Sequence, residues 1–243
     1  MSTLNGGPGN IVTNGLVFYV DAGNYTSYTS GSLVWNDLAN SGYSGSLINN
    51  VGYNSNNAGT LTFTSGSGSF IRIVNNANFA PISQDSQSFS VSCWIKGAIT
   101  AVSENMMIGQ DWGSTGGGWN GLRFRQETIH MTLGNNIGNQ FADVYGTSLL
   151  STTTYKLYTG TYNGSQVVIY INGVAINTVA TTIYPQFNNA SKSWTIGGNY
   201  QRTSPTNASF FEGNIGSVSF YNRALTAQEV LQNYNSTKGR FGL

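Results

Sequence analysis

Apolar and polar residues alternate in short runs along most of this chain. The clearest run is 88–96, where Phe89, Val91, Cys93 and Ile95 fall on one side and Ser90, Ser92, Trp94 and Lys96 on the other. A period of two predicts a half-buried strand, and it makes Cys93 a small core residue. Shorter runs predict strands at 16–20, 60–63, 70–74, 106–110, 122–125, 129–133 and 142–145. Segments 155–162, 166–171 and 174–179 are joined by Asn163-Gly164 and Asn172-Gly173. Both pairs suit type I′ turns, whose central residues need positive φ, so the three segments are expected to form a meander. Strands at 194–197 and 211–221 complete roughly a dozen, punctuated by turn residues in the manner of an antiparallel β-sandwich.

One helix interrupts this pattern. Thr226-Ala227-Gln228-Glu229 is a capping-box sequence, in which the Thr226 hydroxyl accepts from the Glu229 amide while Glu229 reaches back. Leu225, Val230, Leu231 and Tyr234 then give an apolar stripe for docking on the sandwich. No linker, repeat or change of composition divides the chain. The expected organisation is a leader at 1–14, one sandwich domain at 15–234 and a tail at 235–243.

Composition narrows the partners. Only 8% of the 243 residues are charged, against roughly a quarter in an average soluble domain. Gly, Asn, Ser and Thr take the place of charge, and the net charge is +1. Such a surface offers no electrostatic footprint for nucleic acid or anionic membrane. No run approaches the ~18 apolar residues of a membrane span. The N-terminal sequence lacks the charged and apolar regions of a secretory signal, which favours synthesis in a cytoplasm. A lone Cys93 excludes a disulfide framework, and a single His130 leaves little room for zinc or histidine-triad chemistry. His130, beside Ile129 and Met131, reads as a structural histidine.

Four segments carry a family resemblance. They are Gly15–Asn24 (GLVFYVDAGN), Phe89–Lys96 (FSVSCWIK), the stretch from Gly160-Thr161-Tyr162-Asn163-Gly164 to Tyr170-Ile171-Asn172-Gly173, and the stretch from Ile196-Gly197-Gly198 to Gly213-Asn214-Ile215-Gly216. The last runs on into Phe220-Tyr221-Asn222-Arg223-Ala224-Leu225-Thr226. Together they resemble the concanavalin A-like, laminin G-like lectin/glucanase superfamily over about 15–234. That resemblance implies a jelly roll of two curved antiparallel sheets with one short C-terminal helix. With Trp35-Asn36-Asp37-Leu38 and the ending at 235–243, the chain further resembles laminin G-like domains of tailed-bacteriophage structural proteins. It implies a virion surface protein on a fibre, tail or capsid.

The candidate chemistry is recognition. Glycan binding needs aromatic faces for sugar C–H surfaces and amides for hydroxyls. The glycine-rich segment 111–121 supplies Trp112, Trp119 and Asn120, and a second polar-aromatic segment supplies Tyr200 and Arg202. The resemblance also implies a possible rim Ca²⁺, for which Asp111 and Asp143 are the positional candidates, since calcium takes six to eight oxygens. Trp94, opposite the core face, is a candidate to line a concave surface. The superfamily's glucanases carry a Glu-x-Asp-x-x-Glu strand, and here no two acidic residues lie within five positions of each other. Asp111 with Glu127 or Asp143 could converge only through the fold. The expectation is therefore a non-catalytic module that binds bacterial surface glycans or other virion proteins and works in an oligomer or assembly. A purely structural capsid decoration role and a glycan-cleaving hydrolase are the alternatives.

Overall fold

The structure is a computed structural model that describes residues 10–39, 42–73, 88–97, 104–110, 120–125, 128–134, 141–185, 194–198 and 210–243. The first six strands are β1 (Leu16–Asp21), β2 (Val34–Asn36), β3 (Ser44–Ile48), β4 (Gly52–Asn54), β5 (Thr60–Phe63) and β6 (Phe70–Ile73). The next five are β7 (Phe89–Gly97), β8 (Glu104–Gln110), β9 (Asn120–Arg125), β10 (Thr128–Gly134) and β11 (Phe141–Leu149). Strands β12 (Lys156–Tyr162), β13 (Gln166–Ile171), β14 (Val174–Ala180), β15 (Trp194–Ile196) and β16 (Gly213–Tyr221) follow, and α1 (Ala227–Thr237) closes the chain.

The strands form two antiparallel sheets. The first runs β14-β13-β12-β7-β16-β5-β4, with β1 sharing one edge of β16: β5 takes Gly213–Ile215 and β1 takes the rest. The second runs β11-β10-β9-β8-β15-β6-β3-β2. This is the all-β sandwich with one C-terminal helix that the alternation predicts. Strands β2, β3 and β4 go beyond it. Their Gly, Ser and Asn residues carry little strand propensity, and pairing with β6 and β5 holds them.

Inward rows of the two sheets meet in one core. Val91, Cys93, Val218 and Phe220 come from the first sheet, and Ile71, Ile108, Leu122, Met131 and Ile196 from the second. Burial pushes the Cys93 thiol well above its ordinary pKa, so it behaves as an apolar filler. At Gly160 the sheets come so close that an added Cβ would stand 2.4 Å from Met131 Sδ.

The meander has its two turns, of different kinds. Asn172 (φ 52°) and Gly173 (φ 83°) make the expected type I′ geometry between Ile171 and Val174. At the other hairpin, Asn163 N–H donates to Gln166 O, so the centre is Gly164-Ser165 with positive φ only at Gly164. That is the pattern of a type II′ turn. Asn163 instead accepts from the Ser165 and Gln166 amides through Oδ1.

The capping box forms as the sequence predicts, but the helix does not stop at 234. It runs to Thr237 and continues as a 3₁₀ turn, Lys238–Phe241, so residues 235–243 are part of the fold rather than a tail. Arg240 pairs with Asp21 and donates to the carbonyls of Asn57 and Gly59. Within the stripe Leu231 is exposed, and Asn233 takes the buried place. Its Oδ1 accepts from the Val12 amide, and its Nδ2 donates to the Tyr221 hydroxyl. Residues 10–14 of the leader are thereby tied to the helix, with further bonds from Gln232 to Asn10 O and Arg223 to Asn14 O. Residues 1–9 lie outside the described residues.

Candidate functional site: the outer face of the second sheet

The two sheets differ in what covers their outer faces. On the first sheet, Ser90, Ser92 and Trp94 of β7 point away from the core, and all three are buried. The Ser90 hydroxyl donates to Arg223 O and accepts from the Leu225 amide. Trp94 Nε1 donates to Thr237 Oγ1 at 2.8 Å, and its ring stacks on Phe241 at 4.3 Å. The strand is therefore buried on both faces, not half-buried. Trp94 is buried beneath α1 and the 3₁₀ turn, where it lines only a small cavity beside Asn233 and Thr237.

The second sheet presents a different outer face. Cross-strand register aligns Asp143, Thr132, Gly121, Gly109, Thr195, Arg72 and Ser46 in one row on the side opposite the core. Two glycines thus stand side by side near the middle of the sheet. A strand glycine with a glycine neighbour leaves bare backbone, where another group can approach closely. Thr132 and Thr195 flank this floor, and the Thr195 hydroxyl donates to Gly109 O at 3.3 Å. The neighbouring row holds Arg123, His130 and Tyr145. His130 Nε2 lies 2.7 Å from Thr128 Oγ1, which is the structural role its sequence position suggests. Its ring lies against Tyr145, with centroids 5.6 Å apart.

The predicted site residues fall mostly outside this frame. Asp111, Trp112 and Trp119 belong to 111–119, outside the described residues, but the ends of that segment are placed. Gln110 and Asn120 pair across β8 and β9, beside Trp194 of β15. Asn120 itself stands at the start of β9, in register with Gln110 and, through it, Trp194. Tyr200 and Arg202 belong to 199–209, also outside the described residues. That segment departs past Ile196, the end of β15 opposite Trp194. Register thus roots the two segments at opposite ends of β15.

Of the metal candidates, Asp111 lies outside the described residues and Asp143 stands in β11. Among the described residues there is no group of three or more His, Cys, Asp or Glu able to hold a metal ion. Glu127 lies outside the described residues. The carboxylates whose side chains are described are each committed to the fold. Asp21 pairs with Arg240, and Asp37 accepts from the Tyr19 amide. Glu212 accepts from the Ser65 amide and hydroxyl, and Glu229 pairs with Arg223.

Sequence reasoning missed Tyr145 and the paired glycines. Neither had a local signal, because only the register brings them to one face.

This fold and face can be compared with known proteins. The model of the concanavalin A-like lectin/glucanases superfamily, in its laminin G-like form, matches residues 65–231. The chain belongs to that superfamily. No curated protein matches it in sequence. Its fold is shared with the binding domain of Paraclostridial Mosquitocidal Protein 1, at a TM-score of 0.69, 18% identity, 92% of this chain and 52% of that one. It is shared with a botulinum neurotoxin type C structure whose description ties cell entry to two ganglioside molecules, at a TM-score of 0.64 and 15% identity, over 93% of this chain and 52% of that one. Trypanosoma rangeli sialidase in complex with sialic acid matches at 0.68 and 15% identity, over 95% of this chain and 34% of that one. This superfamily member spans about half the length of the toxin chains it resembles. Among the described residues no helix is long and apolar enough to cross a membrane.

Proposed function

We propose that this concanavalin A-like domain is a non-catalytic recognition module of a virion surface, on a phage fibre, tail or capsid. In this reading it binds bacterial surface glycans through the outer face of its second sheet, within an assembly of other virion proteins. The observation that carries the reading is the difference between the two outer faces. The first is closed by α1 and Phe241, whereas the second presents Tyr145 to solvent on its edge strand β11, one row from the line of Gly109, Gly121 and two buried threonines. The segment bearing Trp112 and Trp119 joins β8 to β9 beyond Gln110 and Asn120, and this reading takes its tryptophans as the aromatic faces that sugar rings need. Likeness to ganglioside-dependent and sialic-acid-bound proteins supports a glycan as the ligand class. A non-catalytic role is supported by the likeness to toxin binding domains.

The test is binding of the purified protein to a panel of bacterial surface polysaccharides, followed by tryptophan fluorescence. Saturable binding is expected, with a loss of about tenfold or more in Trp112→Ala or Trp119→Ala. Binding that is unchanged in both variants removes the 111–119 segment from the site. No binding to any polysaccharide replaces this reading with the structural decoration role.

A further inference from the structure

A sheet that does not close on itself ends in strands with unpaired backbone groups, and native proteins cover or blunt those edges. At β2, one end of the second sheet, Ser32 Oγ accepts from the Val34 amide and donates to Val34 O. Ser27 Oγ donates to Asn36 O, and the Asn36 amide donates to Ser27 O. That edge is filled by the chain's own residues. At β4, one end of the first sheet, the strand is only three residues long. The other two ends are β11 and β14.

Strand β14 is the edge that most needs cover. Its seven residues include no charge, proline or glycine, and five of them are exposed. No charged residue occurs in sequence between Lys156 and Lys192. A bulge at Ile176 interrupts the first half of the strand, and residues 177–180 then keep regular register with β13. The Thr181 amide donates to Ser165 O, and bonded pairs alternate with unbonded ones along an antiparallel ladder. Counting back in twos makes Val179 and Asn177 the residues bonded to β13. Thr178 and Ala180 therefore turn their N–H and C=O groups off the edge.

One side chain occupies this edge. Asn177 Oδ1 accepts from the outward Thr178 amide at 2.8 Å, and Asn177 Nδ2 donates to Tyr145 O of β11 at 2.5 Å. A single amide thus serves a donor of one sheet and an acceptor of the other, where no strand pairing joins the two. A carboxamide suits the place because it carries both donors and an acceptor on one planar group. Gly146, the residue after Tyr145, permits the close approach. An added Cβ there would stand 2.3 Å from Ile176 Cδ1.

We propose that Asn177 is a clasp, which ties β14 to β11 and keeps the β14 edge from pairing with a second copy of this chain. A second copy is the occupant that the bare edge fits. An antiparallel pair of β14 strands centred on Thr178 sets Thr178 against its own counterpart and Ile176 against Ala180, with no like charges opposed. Such a pair needs the outward Thr178 amide, and the clasp already holds it. The clasp stands apart from the glycan-binding reading and does not depend on it.

The test uses the full chain and needs no ligand. Residue-resolved amide exchange by NMR should show Thr178 exchanging about tenfold more slowly than Ala180, although both amides point off the same edge. In Asn177→Ala that difference should disappear. Sedimentation over a range of protein concentrations should then show Asn177→Ala gaining a dimerisation step that the wild-type chain lacks. Adding Thr178→Lys, which puts a charge on the edge, should abolish that step. A Thr178 amide that exchanges as fast as Ala180 in the wild-type chain overturns the clasp, and this comparison requires no variant to fold. Asn177→Ala that sediments as the wild type does overturns the guard against pairing, and so does a dimer that persists with Thr178→Lys.

Discussion

At the scale of single residues, close approach decides what is tolerated. Gly160 sits in β12 where the facing sheet leaves no room for a methyl group, with Met131 Sδ and Leu122 Cδ2 at 2.4 and 3.0 Å from an ideal Cβ. Gly160→Ala should therefore destabilise the protein by about 1–3 kcal/mol through overpacking. Urea unfolding measures this directly. In a Met131→Ala background the added methyl should cost less, since the two changes share one site and are not additive.

At the scale of elements, helix α1 is held by its N-terminus. The Thr226 hydroxyl accepts from the Glu229 amide, while Glu229 accepts from the Thr226 amide and makes a bidentate pair with Arg223. The Arg223 guanidinium and the helix-end donors hold the Glu229 carboxyl at about 2, below its ordinary range. A carboxyl depressed in the folded state stabilises the fold above its unfolded pKa. That contribution is fully present at neutral pH and fades as pH falls from about 4.5 toward 2. In Glu229→Gln this part of the acid sensitivity should vanish, as measured by thermal melts across that range. Thr226→Ala should cost about 1 kcal/mol at neutral pH by loss of the cap.

At the scale of the whole molecule, the last residues of the chain fasten the sandwich. Phe241 lies on Trp94 and against Tyr155, at 4.3 and 4.7 Å, while Arg240 reaches Asp21 at the end of β1. One short segment thus ties the outer face of the first sheet to the first strand of the chain. Phe241→Ala should cost about 3 kcal/mol, the scale of a buried ring lost from a packed site. Chemical denaturation reads the loss, and reduced near-ultraviolet dichroism would report the freed Trp94. In the proposed reading recognition belongs to the other sheet, so Phe241→Ala should lower stability without changing glycan affinity per folded molecule.

What the sequence determined by itself was local. The two-residue period marked most strands, the capping box marked the helix, and Asn172-Gly173 marked its turn, because each is set by backbone sterics and bonds between near neighbours. The all-β class and the superfamily resemblance followed from these. Tertiary structure decided what no neighbour in sequence could report. Ser90, Ser92 and Trp94 have the polar-side positions of a solvated face, but a helix some 140 residues later covers them. Residues 235–243 look like a tail until Arg240 and Phe241 find their partners across the chain. The outer face of the second sheet is likewise a product of register. Gly109 and Gly121 become neighbours, and Tyr145 meets His130, only after bulges at Met107 and beside Ile129 shift the pairing. A one-residue slip exchanges the inner and outer faces of a strand, so the alternation alone determines that a strand has two faces, and packing determines what covers each of them.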